Sequence, residues 1–340
     1  MKLFERNALS NMKDGIAAFV IPFWSSGNEV YMNYLNQAVS SIMKQTDSRF
    51  HIYIVDDCSD EPSVKKSLTE LEKGNEKITV LYAKENKGPG TARNIGVRQA
   101  ATDGCPFICF LDSDDMANEK RVETSRKIFL EKEDVDVVYS TFSVVSEVNE
   151  PVLREKLVEG VKIILSDMEN RPLYGEDTWK SIVVERDNLT IPSALNVRTE
   201  LAFAVPFPEH VRFHEDTYTW LRYSGIGGNF YYEESIASLY RIPQNKKGSE
   251  SRERAGGIEE FNRMRCKIIM QGLESAMEYA QQRGQVAEEE KDDYRVRFLL
   301  NVASMIAVEG TLNVSQELVD WAKRINDEKW QMYYKNYFAE

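Results

Sequence analysis

Phe107-Ile-Cys-Phe-Leu-Asp-Ser-Asp-Asp115 is an apolar run that ends in three acids. It is continuous rather than alternating, so it suits a strand covered on both faces, as in a parallel sheet flanked by helices. Four further apolar runs lie at residues 16–22, 50–55, 78–82 and 135–145. The second of them also ends in acids, Ile54-Val-Asp-Asp-Cys-Ser-Asp60. Helical patterns separate the runs. From 29 to 45, Val30, Tyr34, Leu35, Ala38 and Ile42 share one stripe, and further helices are expected at 63–73 and 91–101. Gly88-Pro-Gly90 precedes the last of these, and proline suits the first turn because its missing N–H would be unpaired there anyway. Strand and helix in alternation predict a doubly wound α/β domain, with functional residues at the carboxyl ends of the strands.

Beyond about residue 150 the pattern changes. Residues 152–187 read as polar and irregular, and residues 191–198 and 236–242 as further strands. From 258 onward the chain reads as helix almost throughout, ending in the aromatics Trp330, Tyr333, Tyr334, Tyr337 and Phe338. The polar, glycine-bounded stretch 248–257 reads as a linker or mobile loop.

Composition narrows the chemistry. The 340 residues carry 43 Lys and Arg against 55 Asp and Glu, a formal charge of −12. That balance argues against a nucleic-acid coat, whose affinity rests on cations neutralising phosphates. Nucleic acid is therefore not an expected partner. Four cysteines without a CxxC pair and three histidines give no zinc pattern. The N-terminus has no signal-peptide core, and no apolar stretch approaches the ~20 residues that span a bilayer. The expectation is a cytoplasmic chain.

The acids then have to be sorted. Asp56 and Asp57 tip a strand, where an acid either closes a turn or accepts hydrogen bonds from a nucleoside. Asp112, Ser113, Asp114 and Asp115 tip another, and alternation sends Asp112 and Asp114 to the same side. Crowded carboxylates repel one another unless a cation or protons relieve them, and hard oxygen ligands favour Mg²⁺ or Mn²⁺. The bland alternative is a turn capping the following helix. His214-Glu-Asp216 opens a short amphipathic helix, where acids suit the helix dipole. There a carboxylate is also placed to act as a general base. Gly88-Pro-Gly90 fails as a dinucleotide fingerprint because Arg93 stands at the third glycine position, and no GxxxxGK[ST] occurs.

In this order the motifs resemble those of the family 2 glycosyltransferases, which have the GT-A fold. The likeness spans about residues 14–245. It rests on Phe19-Val-Ile-Pro-Phe-Trp-Ser25, on Ser41-Ile-Met-Lys-Gln-Thr46 followed by Ile54-Val-Asp-Asp-Cys-Ser-Asp60, and on Asn86-Lys-Gly-Pro-Gly-Thr-Ala-Arg-Asn-Ile-Gly96. Leu111-Asp-Ser-Asp-Asp115, and Phe207-Pro-Glu209 with His214-Glu-Asp216, complete it. The resemblance implies a doubly wound mixed sheet flanked by helices, with a C-terminal helical extension. It implies a glycosyltransferase domain over residues 1–250, with residues 14–150 the nucleotide-binding half and 151–250 the acceptor-binding half, followed by a helical region at 258–340. It also implies roles. Pro22 and Trp24 line a nucleobase pocket, Asp57 meets the base, and Arg93 and Ser113 lie near the nucleotide. Asp112 faces ribose and metal, and Asp114 holds Mn²⁺ or Mg²⁺. Asp216 is the base, with Glu215 the competing assignment.

Ser25 stands where the family has Asn, and Cys58 where it has Gly. A histidine common after the Tyr-Arg strand is absent, which leaves Gln244, Asn245 or Lys247 to take its place. The expected activity is metal-dependent, inverting sugar transfer from a nucleotide-sugar, with UDP as carrier, to a saccharide or lipid-linked acceptor in polysaccharide synthesis. Two further expectations concern the C-terminal helices: contact between copies as a homo-oligomer, and peripheral association with the inner face of the membrane. The competing readings are a sugar-1-phosphate nucleotidyltransferase and an inactive glycosyltransferase-like binding protein. The former expects a basic, glycine-rich loop after the first strand, but residues 23–29 contain no Lys or Arg.

Overall fold

The computed structural model describes residues 2–5, 9–186, 188–244 and 255–338. A seven-stranded sheet has the order β3-β2-β1-β4-β7-β5-β8. Its strands are β1 (Ala17–Phe23), β2 (Phe50–Asp56), β3 (Ile78–Tyr82), β4 (Phe107–Phe110), β5 (Val137–Tyr139), β7 (Leu195–Arg198) and β8 (Phe230–Tyr232). β7 runs antiparallel to both neighbours and the remaining pairs are parallel, so the sheet is mixed. A parallel pair, β6 (Phe142–Val145) and β9 (Ser238–Arg241), forms a second small sheet.

The strands are continuous in apolar residues because each feeds two cores. Phe19, Ile21 and Phe23 of β1 pack beneath the helices α2 (Glu29–Ile42), α3 (Pro62–Lys73) and α5 (Arg121–Glu131). Ala18 and Val20 face the opposite core, beside α4 (Pro89–Thr102). α4 lies so close that a Cβ on Gly96 would meet Val20 Cγ1 at 2.5 Å, so only glycine fits.

Two sequence expectations differ from the fold. Residues 152–187 are not loop-rich but hold α6 (Glu159–Asn170) and α7 (Thr178–Glu185). Val161, Ile164, Leu165 and Met168, then Trp179, Ile182 and Val183, meet the core at helical spacing. Interspersed charges hide that stripe in the sequence. The run at 135–145 divides between β5 and β6, which belong to different sheets.

The C-terminal helices Ile258–Gln282, Lys291–Val308 and Leu312–Ile325 share the core that holds Trp220 and Leu221. The first lies along α9 (Glu215–Gly225), so close that a Cβ on Gly225 would meet Ala276 O at 2.6 Å. The last helix, Asp327–Tyr337, has no buried residue. Its Trp330, Tyr334 and Phe338 form a ladder with ring centroids 5.0 and 5.1 Å apart. Among the described residues no helix is long and apolar enough to cross a membrane.

Candidate active site

The chain builds outward from β1 to β2 and β3, then crosses back to β4 on the other side of β1. Such a switch point opens a crevice at the carboxyl ends of the strands. Register brings the acid-tipped strands level. Asp57 N–H donates to Phe23 O at 2.8 Å, and Leu111 N–H donates to Val20 O at 3.2 Å. A cleft of about 1140 Å³ occupies this edge. All the sequence-predicted site residues line it: Pro22, Trp24, Asp57, Arg93, Asp112, Ser113 and Asp114 from the sheet side, and Glu215 and Asp216 from α9.

Each adjacent acid pair divides its work. Asp56 is fully buried and accepts the Ser59 N–H at 3.2 Å, closing the turn after β2. Cys58 in that turn has φ +59°, the left-handed region where glycine costs least. Asp57 lines the cleft and accepts the amides of Lys87 at 3.0 Å and Gly88 at 2.7 Å. Burial raises the pKa of Asp57 above the usual carboxylate value, and those two amides oppose the shift.

Asp115 is likewise withdrawn. It accepts the Ser193 hydroxyl at 2.5 Å and the Arg241 amide at 2.8 Å, joining β4 to the start of β7 and to β9. Burial, then the charges of Asp114 and Asp112, push its carboxyl well above the ordinary range. Asp115 does not cap the following helix, whose N-cap is Lys120, but is spent tying these elements together, while Asp112 and Asp114 face the cleft. The Arg241 guanidinium donates to Asp114 O at 2.8 Å and fixes that turn from below. Ser25 is buried and organises its own loop, with its Oγ accepting Gly27 N–H at 3.1 Å.

The third pair opens α9. Glu215 is buried against the Arg93 guanidinium at 2.7 Å. Asp216 lines the cleft, and its pKa is pushed up to about 7 by burial and by the charge of Glu215. His214, just before them, adopts φ +55° and packs its ring on Phe261 with centroids 4.7 Å apart.

Several lining residues carried no sequence signal. Arg212 donates to Asn86 Oδ1 at 3.0 Å and to Asn86 O at 2.8 Å, tying down the loop that caps Asp57. Phe261, Arg265 and Ile269 reach the cleft from the C-terminal helix Ile258–Gln282, and Lys156, Val161 and Ile164 from the segment around α6. An amphipathic stripe in sequence gives no hint that its edge reaches a distant cleft. Gln244 lines the cleft and donates its N–H to Glu147 at 2.8 Å. Asn245 and Lys247 lie outside the described residues.

Among the described residues no group of three or more His, Cys, Asp or Glu side chains forms a cation cage. Asp112 and Asp114 nevertheless supply hard oxygen donors in the lining of the cleft, the chemistry Mg²⁺ and Mn²⁺ select. Two carboxylates leave most of an octahedral shell to water and a ligand's phosphates.

Residues 19–183 match the family described as Glycosyl transferase family 2. An uncharacterized glycosyltransferase of Rickettsia conorii is 26% identical over 220 residues, 64% of this chain and 32% of that protein. The chain thus spans about a third of the length of the first curated relatives it matches. TuaG of Bacillus subtilis, a glycosyltransferase named for teichuronic acid biosynthesis, is 24% identical over 217 residues, 64% of this chain and 77% of that one. The structure of S. aureus TarS 1-349 in complex with UDP superposes with TM-score 0.51 at 16% identity, covering 95% of this chain and 91% of that one. GalNAc-T7 with UDP, GalNAc and Mn²⁺ superposes with TM-score 0.56 at 14% identity, covering 95% and 58%. These likenesses establish a shared GT-A fold.

Proposed function

This chain carries a domain of glycosyl transferase family 2, and on that premise we propose that it moves a sugar from a nucleotide-sugar to an acceptor hydroxyl with inversion. The observation that carries the reading is the pairing across one cleft. Asp112 and Asp114 stand on one wall, and Asp216, with a pKa near 7, stands on the other.

Trp24 and Pro22 flank the nucleobase, and Asp57, already fixed by two amides, accepts from it. UDP is the carrier we favour, in keeping with its presence in the TarS and GalNAc-T7 structures. Asp112 and Asp114 hold a divalent cation, as the Mn²⁺ in the latter supports. Such a cation, when bound, offsets the negative charge that grows on the leaving diphosphate. Ser113 lies between them at the donor.

Asp216 takes the acceptor's hydroxyl proton as that oxygen attacks the anomeric carbon. The new C–O bond forms on one face while the bond to the diphosphate breaks on the other, its electron pair leaving with the phosphate oxygen. A group with a pKa near the working pH is suited to accept that proton without holding it too tightly. Glu215 has its carboxylate on Arg93, so Asp216 is the better base. The acceptor is a saccharide, free or lipid-linked, of the kind built in surface polysaccharide synthesis. TuaG's name supports that context. The reaction is placed on the cytoplasmic side.

The experiment is incubation with a panel of nucleotide-sugars and Mn²⁺, followed by measurement of the released nucleotide and of the anomeric configuration of the product. Release of a nucleoside diphosphate with an inverted product is expected. Formation of a nucleoside triphosphate and a sugar 1-phosphate when pyrophosphate is added would move the protein to the nucleotidyltransferases, and binding without turnover would make it a binding protein.

A further inference from the structure

We infer that Arg93 is a positioning residue: its guanidinium spaces the donor-side Asp112 from the turn of α9 that presents Asp216. One terminal nitrogen donates to Asp112 Oδ1 at 2.5 Å, and the other donates to Glu215 Oε1 at 2.7 Å. The side chain is 2% exposed, and its guanidinium carbon lies 5.3 Å from the centroid of the Phe207 ring. Burial works against its charge, but the two carboxylates outweigh burial and raise its pKa. A planar fork between two carboxylates holds a distance that a flexible point charge cannot.

The rest of α4 braces the same approach. Asn94 donates to Phe207 O at 2.9 Å and accepts Phe207 N–H at 2.8 Å. A Cβ on Gly90 would meet Glu215 Cγ and Phe207 Cβ at 3.3 Å. One helix, itself seated on β1 through Gly96, therefore grips both the segment leading to α9 and the first residue of α9. Asp216 follows Glu215 directly in the chain, so pinning Glu215 fixes the backbone that carries the base. The nucleotide-contact role that family resemblance implies for Arg93 is not needed to explain its burial, because both terminal nitrogens already hold carboxylates.

The positional claim stands on geometry alone, whereas its kinetic consequence rests on the transferase reading. Two measurements keep them apart. The first is amide hydrogen exchange on the ligand-free wild type, Arg93→Lys and Glu215→Ala. Both variants are expected to exchange at least about tenfold faster across residues 213–219, with strands β1 and β2 unchanged. Unchanged exchange at 213–219 would overturn the inference, and so would uniform loosening of the whole chain. This result holds whether or not the wild type transfers sugar.

The second is steady-state kinetics with UDP-sugar and Mn²⁺. Arg93→Lys is expected to lower kcat about 100-fold while donor KM moves less than threefold, because a misplaced base costs turnover rather than donor affinity. The double variant Arg93→Lys/Glu215→Ala should be no slower than the worse single variant, because both break one strut. Multiplying losses, or a change confined to donor KM, would overturn the role.

Discussion

On the donor wall, Asp57, Asp112 and Asp114 stand past the ends of β2 and β4, which flank β1 in parallel, and the sheet's hydrogen-bond register sets their spacing. On the opposite wall, Glu215 and Asp216 open a helix that no strand leads into, and Arg93 connects it to Asp112. Both walls use adjacent acids in the same way. One member of each pair is spent inside, as Asp56 on Ser59, Asp115 on Ser193 and Arg241, and Glu215 on Arg93. The other faces the cleft, which Glu215 also lines. The buried member holds the turn so that the facing member is presented without having to organise itself. The difference lies in rigidity. The donor wall inherits it from the sheet, while the acceptor wall borrows it from α4 and from the C-terminal helix beside α9.

Asp216, on the wall without a strand, carries the largest expected effect. Asp216→Asn is expected to lower kcat by about 10³-fold while UDP binding measured by calorimetry stays within twofold. Transfer at the wild-type rate would remove Asp216 from the chemistry. Asp114→Ala strikes the other wall. It should abolish the Mn²⁺ dependence of UDP binding and reduce turnover by about 10²-fold. Unchanged calorimetric binding would count against the metal role.

A smaller effect comes from pH. The ordinary Asp value is 3.8, and the Asp216 carboxyl sits at about 7 in the fold. The base is ionised above that value, so kcat should fall about tenfold for each unit below pH 6.5, with a plateau above pH 8. Stability runs the other way. The folded chain keeps a proton between pH 4 and 7 that the unfolded chain has lost, so stability falls as pH rises through that window. Asp216→Asn escapes the cost of the buried charge. It should therefore melt higher than wild type at pH 8, with the gain shrinking as pH falls and gone below about pH 4.

Trp24 is 38% exposed and lines the cleft. Trp24→Ala should raise donor KM about tenfold with kcat retained, the loss of one stacking face worth about 1–3 kcal/mol. A change in kcat instead would move the nucleobase elsewhere. The smallest effect is expected at Cys58→Gly, where relief of a left-handed backbone is partly offset by the added freedom of the unfolded chain. A stability gain of about 1 kcal/mol or less in chemical denaturation is expected, and a loss would contradict the strain.

The donor wall was legible because its signals are local. A buried strand must be apolar along its whole length, and an acid just past its end has few places to go. The apolar runs at 50–55, 78–82 and 107–111 became strands nearly to the residue. Of the acceptor wall, only the helix start at Glu215-Asp216 was legible. Val161 and Ile164 lie in a charged stretch that hides a helix, and Phe261 and Arg265 lie on a helix with no motif of its own. What makes them cleft residues is contact with elements far away in sequence.

The sequence by itself determined the strand–helix alternation, the acid-tipped strands and the Glu215-Asp216 pair at a helix start, because each depends on residues within a few positions of one another. Only the tertiary structure decided which acid of each pair is taken up by a partner. That choice depends on partners contributed from elsewhere: Ser193 and Arg241 for Asp115, and Arg93 for Glu215. A buried carboxylate must find donors, and where the fold supplies them determines which acid is left to do chemistry.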